Sequence, residues 1–91
     1  MIRFVWDPRK EHVNIHKHGV DFATAAKVFL DPKRKIFLDF RHGDRELRFY
    51  CIGEAQGRVL TVRFVYREDT IRIFGAGYWR KGKRYYEKEG E

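Results

Sequence analysis

The chain has no serine, one cysteine and two prolines among its 91 residues. Without serine there is no Ser-His-Asp triad, and a lone cysteine forms no internal disulfide. Cys51 lies in the apolar-rich run 47–52, so a buried structural thiol is expected in preference to a nucleophile. No apolar run approaches the roughly 20 residues that span a bilayer. The chain starts on a strand-like segment, residues 2–6, and not on a signal peptide, so the expectation is a cytoplasmic protein with no membrane role. The histidines are His12, His16, His18 and His42. His12 and His16 are an i, i+4 pair without the adjoining glutamate of a zinc-protease helix, and neither metal nor cofactor is expected.

What the chain does have is 43% hydrophobic and 16% aromatic residues, enough for a core and too many for a disordered segment. Its length suits one domain over residues 1–91. A formal net charge of +7 points to an anionic partner: nucleic acid, an acidic protein or an anionic surface.

Ile2, Phe4 and Trp6 alternate with Arg3 and Val5 as in a strand. Asp7 and Pro8 then signal a helix start and Gly19 its end, giving a helix over 8–18. Asp21 can cap a second helix whose Phe22, Ala25, Ala26 and Phe29 form one apolar stripe, ended by Asp31 and Pro32. From Lys35 the period changes to two, and turn signals divide the chain into strands near 36–40, 45–52, 58–66 and 70–76. The expected fold is α+β: an antiparallel meander with two N-terminal helices on one face. Residues 78–91 read as a short or fraying helix, interrupted by Gly82 and Gly90.

A turn over 54–57 would set Gly53 opposite Arg58, hence Arg48 opposite Arg63, Tyr50 opposite Thr61 and Glu46 opposite Val65. Leu47, Phe49, Cys51, Leu60, Val62, Phe64, Ile36, Leu38, Ile71 and Ile73 would form the core face. On the other face Asp39 would lie next to Glu46 and Arg72 next to Val65, so that Glu46, Arg48, Arg63 and Arg72 cluster. Opposed arginines repel and weaken a strand pair, whereas a phosphate between them would offset that repulsion. Tyr50 and Phe74 share this face and are candidates for stacking bases. An ordinary solvated face with Glu46 and Asp39 pairing the arginines is an equally good reading of the pattern.

The ordered series Phe4, Trp6, Asp7, Pro8, Asn14, Lys17, His18, Gly19, Phe22, Ala25, Val28, Phe29, Asp31 and Pro32 resembles the BrnT toxins. It continues through Asp39, His42, Glu46, Arg48, Gly53, Gly57, Arg58, Ile71, Arg72 and Ile73. The resemblance implies a RelE-like fold and a ribonuclease that shuts down translation, neutralised by a ribbon-helix-helix antitoxin whose complex with the toxin binds DNA. BrnT-like chains usually close the last strand with a segment resembling Ile-Ser-Ala-Arg. Here it reads Phe74, Gly75, Ala76 and Gly77, leaving Arg72, Arg80 or Arg84 as substitutes for the arginine.

Metal-independent RNA cleavage needs a base for the ribose 2'-hydroxyl, cations for the phosphate and an acid for the leaving oxygen. The candidates are Glu46 or His42 as base, Arg48, Arg63 and Arg72 as clamp, and Tyr78 or Tyr85 as acid. Lys17, His18, Tyr50, Arg80 and Arg84 are candidate RNA-binding residues, although Lys17 and His18 also suit the dipole of a helix C-terminus. The alternative function is a noncatalytic subunit that holds an antitoxin or nucleic acid on its basic surface.

Overall fold

A computed structural model describes residues 2–40 and 46–88. The elements are β1 (Arg3–Val5), α1 (Pro8–His18), α2 (Phe22–Ala26) running into a 3-10 turn (Lys27–Leu30), β2 (Lys35–Asp39), β3 (Arg48–Ala55), β4 (Arg58–Arg67), β5 (Thr70–Gly77) and α3 (Arg80–Glu87). The strands form one sheet in the order β1-β5-β4-β3-β2.

β2 to β5 pair antiparallel in chain order, but the sheet is mixed and not all antiparallel, because β1 joins β5 in parallel with Phe4 beside Ile71. β1 covers only the first part of β5. Over the second part, α1 takes the place of a neighbouring strand through Asn14. This buried side chain accepts from the Ala76 N–H at 3.1 Å and donates to the carbonyls of Ala76 and Val20 at 3.0 and 2.9 Å. An open sheet edge is thereby closed by an amide that mimics the backbone.

α1 has the bounds that its signals dictate: Asp7 accepts from the Arg9 N–H at 2.9 Å, Pro8 opens the first turn, and Gly19 closes the helix at φ 71°. Asp21 likewise caps α2 through the Thr24 N–H, and the Thr24 hydroxyl together with that N–H holds its carboxyl below the usual range. Phe22, Ala25 and Val28 are buried against Cys51, Leu60, Val62, Phe64, Ile71 and Ile73. Phe4, Phe29 and Phe49 complete an aromatic cluster around Phe64, with edge contacts of 5.2 Å from Phe4 to Phe29 and 5.0 Å from Phe29 to Phe64.

Leu47 and Ile36 do not join this core. Leu47 is 60% exposed before β3 begins, and Ile36 lies on the outermost strand, where no element covers it. Cys51 is fully buried, and burial pushes its thiol up to about 12, which makes it a packing group.

The β3–β4 register differs from the expected one by two residues: Tyr50 lies opposite Arg63, Ile52 opposite Thr61 and Ala55 opposite Arg58. The turn is the two residues Gln56 and Gly57, at φ 54° and 80°, the backbone of a tight hairpin. β3 runs on through Glu54 because Asp31 accepts that residue's N–H at 2.7 Å beyond the end of β2. A slip of two preserves the faces, so the partition into core and outer sides stands while the neighbours change. Asp39 accordingly lies opposite Arg48, buried, and not beside Glu46.

The C-terminal segment is a helix of eight residues lying on the outer face over β3 and β4. Gly82 permits this approach, since a Cβ there would fall within 2.1 Å of Thr61 Oγ1. Tyr85 packs on Phe37, which in turn packs on Tyr50, each pair with centroids 5.3 Å apart. Tyr86 donates to Asp31 at 2.5 Å.

Candidate nucleic-acid interface

The outer face divides in two. α3 occupies the part over Ile52 and Thr61, and the remainder opens as a cleft between α1 and the β4–β5 ladder. A cleft of about 460 Å³ is lined by Asp7 and by Arg9, Lys10, Val13, Asn14, Lys17 and His18 of α1, Arg63 of β4, Phe74 and Gly75 of β5, and Trp79, so that its cations outnumber its one carboxylate. Each element supplies its share for a local reason. Arg9, Lys10 and Lys17 lie along the exposed side of α1, held at the sheet by Asn14 of the same helix. Arg63 and Phe74 meet at an irregularity in the β4–β5 pairing: Arg63 lies opposite Gly75 while Phe64 lies opposite Ile73, so Phe74 is an extra residue. Such a bulge re-aims a side chain, and here the Phe74 ring lies 5.0 Å from the guanidinium carbons of both Arg48 and Arg63.

The two arginines are thus brought together as expected, but through Phe74 and not as direct cross-strand partners. A ring face between two cations lowers the cost of their proximity. Arg63 is half-buried, and its Nε has no hydrogen-bond partner among the described residues although it is shielded from solvent. A buried donor without an acceptor costs about 1–3 kcal/mol, which is recovered if the side chain turns this N–H toward an anion in the cleft.

The other expected residues fall into three groups. Lys17 and His18 line the cleft. Arg72 shares the face of Arg63, lying opposite Val65 in the expected register, but is not part of the cleft lining. Tyr50 is taken up by the aromatic row that seats α3, and Arg80 and Arg84 are exposed on α3 itself. Glu46 corrects the expected cluster: its carboxylate forms an ion pair with Arg67, with contacts of 3.0 and 2.9 Å, and both side chains are exposed. His42 lies outside the described residues. The pattern analysis missed Arg9, Lys10 and Trp79. The lysine and arginine at 9 and 10 were legible as charge on α1, but only the packing of α1 along β5 aims them at Arg63.

The sequence profile of one family, the ribonuclease toxin BrnT of type II toxin-antitoxin systems, matches residues 6–82. The chain belongs to the BrnT family. No curated protein matches it closely enough to add a relative. The match runs from Trp6, before α1, to Gly82 within α3, and so takes in every residue lining the cleft. A BrnT toxin is a ribonuclease paired with an antitoxin, and a cleft with more cations than carboxylates, in which the Arg63 Nε lacks a partner among the described residues, is a chemically suitable place for its substrate. Among the described residues no group of three His, Cys, Asp or Glu side chains is placed to hold a metal, and no helix is long and apolar enough to cross a membrane.

Proposed function

We propose that this BrnT toxin cleaves RNA without a metal, in the cleft between α1 and the β4–β5 ladder. The observation that carries this reading is the buried, unpartnered Nε of Arg63 in a cleft lined by Arg9, Lys10, Lys17 and His18. Arg63 in the cleft lining, with Arg48 also 5.0 Å from the Phe74 ring, supplies the cations for the scissile phosphate, and charge growing on that phosphate is met by donors of the site. The ribose 2'-hydroxyl attacks phosphorus, the bond to the 5'-oxygen breaks, and a cyclic phosphate and a 5'-hydroxyl result.

His18 brings an imidazole into the cleft lining, and it is the first choice for moving the proton. Glu46, tied to Arg67, and His42 are the second choices for base, with Tyr78 or Tyr85 as acid. Arg72, Arg80, Arg84 and Tyr50 supply outer contacts along the RNA or shape the face that receives it. At the scale of the cell, the reading is a cytoplasmic toxin of one RelE-like domain. It inhibits translation and is neutralised by a ribbon-helix-helix antitoxin through which the complex reaches DNA.

Purified protein incubated with total RNA in excess EDTA tests this, beside an Arg48→Ala/Arg63→Ala variant whose folding is checked by its melting curve. Cleavage by the parent, reduced about 10²- to 10³-fold in the variant, is expected. Equal cleavage by both would place the chemistry elsewhere. No cleavage by the parent, with or without ribosomes, would favour the noncatalytic binding subunit. His18→Ala, Glu46→Ala and His42→Ala compared in the same assay separate the bases.

A further inference from the structure

We propose that Trp79 is the seat of one unpaired RNA base, and that Gly77 is what allows the indole to lie there. The inference rests on the reading that the cleft holds RNA. Residues 78 and 79 leave the end of β5 in opposite directions. The Tyr78 ring is taken by Arg58, whose guanidinium lies 3.6 Å from its centroid. Trp79 turns into the cleft, where it joins Arg63, Phe74 and Lys17 in the lining.

The indole is anchored on two sides. Its six-membered ring lies so close to Gly77 that a Cβ there would be 3.1 Å from Cζ2 and Cη2. Its edge meets the His18 imidazole at 5.5 Å and 62°. The residue is nevertheless 38% exposed, in a cleft where Arg9, Lys10, Lys17 and Arg63 outweigh the single carboxylate of Asp7. Those surroundings disfavour a guanidinium or ammonium as the ring's partner and favour a flat neutral ring attached to an anion. A nucleotide base is that ring, and stacking on an aromatic platform is how single-stranded RNA is commonly held.

This assigns a role to Gly77, where the resemblance to BrnT chains leads to an expectation of arginine. The backbone there needs no glycine for its own conformation, since the positive-φ glycines are Gly19 and Gly57. What glycine provides is the space that Trp79 fills. A side chain at 77 would crowd the indole and press it from its seat, so Gly77→Arg should impair the stacking of a base in this chain.

The test uses a short 2'-O-methyl oligoribonucleotide, which cannot be cleaved, and an abasic strand of equal length and charge. Binding is followed by tryptophan fluorescence of the wild type against Trp79→Phe and by fluorescence anisotropy of the labelled strand. Expected results are quenching attributable to Trp79 by the strand with bases alone, and an affinity for it lowered about 5- to 150-fold in Trp79→Ala. Trp79→Phe should retain most of that affinity, Gly77→Arg should lose the preference for the strand with bases as Trp79→Ala does, and the abasic strand should bind the wild type and both Trp79 variants alike and Gly77→Arg at least as tightly. If Trp79→Ala binds the strand as tightly as wild type while Arg63→Ala does not, the base seat is refuted and the RNA cleft stands. If neither strand binds the wild type, both are refuted.

Discussion

Arg63 gathers the argument at the level of single residues. Its guanidinium is half-buried, stands against an aromatic ring and leaves its Nε without an acceptor, so its contribution is planar and directional and not merely a unit of charge. Lysine at this position keeps the charge and loses the fork. Arg63→Lys is therefore expected to keep less than a tenth of wild-type cleavage while melting within a few degrees of it. A lysine variant with full activity would reduce the role of Arg63 to general electrostatics. Cys51 is the contrary case, a reactive side chain made inert by its place. With its thiol pushed up to about 12 by burial, it should resist alkylation at pH 8 in the folded protein and react once the protein is unfolded in denaturant.

At the scale of elements, the two contacts that place the helices are also the ones most open to a single substitution. Asn14 serves three backbone groups at once, so Asn14→Ala leaves buried groups unsatisfied and should cost about 2–4 kcal/mol, measured by denaturant unfolding. Asn14→Asp retains the acceptor for Ala76 but confronts two carbonyls with a carboxylate, and should be no better. Gly82→Ala drives a methyl into Thr61 and should lift α3 from the sheet, at a cost of about 1–3 kcal/mol. A melting temperature equal to wild type in Gly82→Ala would mean that α3 does not pack as described.

How far these elements could be read from the sequence follows from where their causes lie. α1 was legible to the residue because Asp7, Pro8 and Gly19 are local signals. The division of the sheet into faces was legible because alternation survives a slip of two. The register itself was not, since it depends on Asp31 capturing the Glu54 N–H across 23 residues of chain. β1 beside β5 and Asn14 beside Ala76 were likewise invisible, being pairings across more than 60 residues. For the candidate site, Arg48, Arg63, Lys17 and His18 were named from pattern and resemblance. Trp79 was not, because only the fold brings the end of β5 back to the end of α1.

For the molecule as a whole, charge sets the dependence on solution conditions. With a formal net charge of +7, oligonucleotide affinity should fall linearly with salt on logarithmic axes. Removing one phosphate-contacting cation, as in Lys17→Ala, should reduce the slope by about 0.7 for a single strand. Stability should respond to acid through Asp31 and Asp21. Burial pushes the Asp31 carboxyl up, but hydrogen bonds from Tyr86, the Glu54 N–H and the Lys33 N–H outweigh it and hold the group low. A carboxylate with a lowered folded value adds stability that is present above its ordinary value of 3.8 and is lost as the pH falls through the folded value. Asp31→Asn should therefore lower the melting temperature at pH 7 and differ much less from wild type near pH 2.

The central claim is that RNA lies against Arg63 between α1 and the sheet, and the most direct test is to observe that guanidinium. In a protein labelled with nitrogen-15, the Arg63 Nε–H resonance, assigned by its absence in Arg63→Lys, is followed as 2'-O-methyl oligoribonucleotide is added. The account predicts a large downfield shift and slowed exchange as the free donor gains a phosphate acceptor, together with shifts at Gly75 and the Trp79 indole N–H. An Arg63 signal unmoved at saturation, with the changes confined to the exposed side of α3 or to β2, would contradict it.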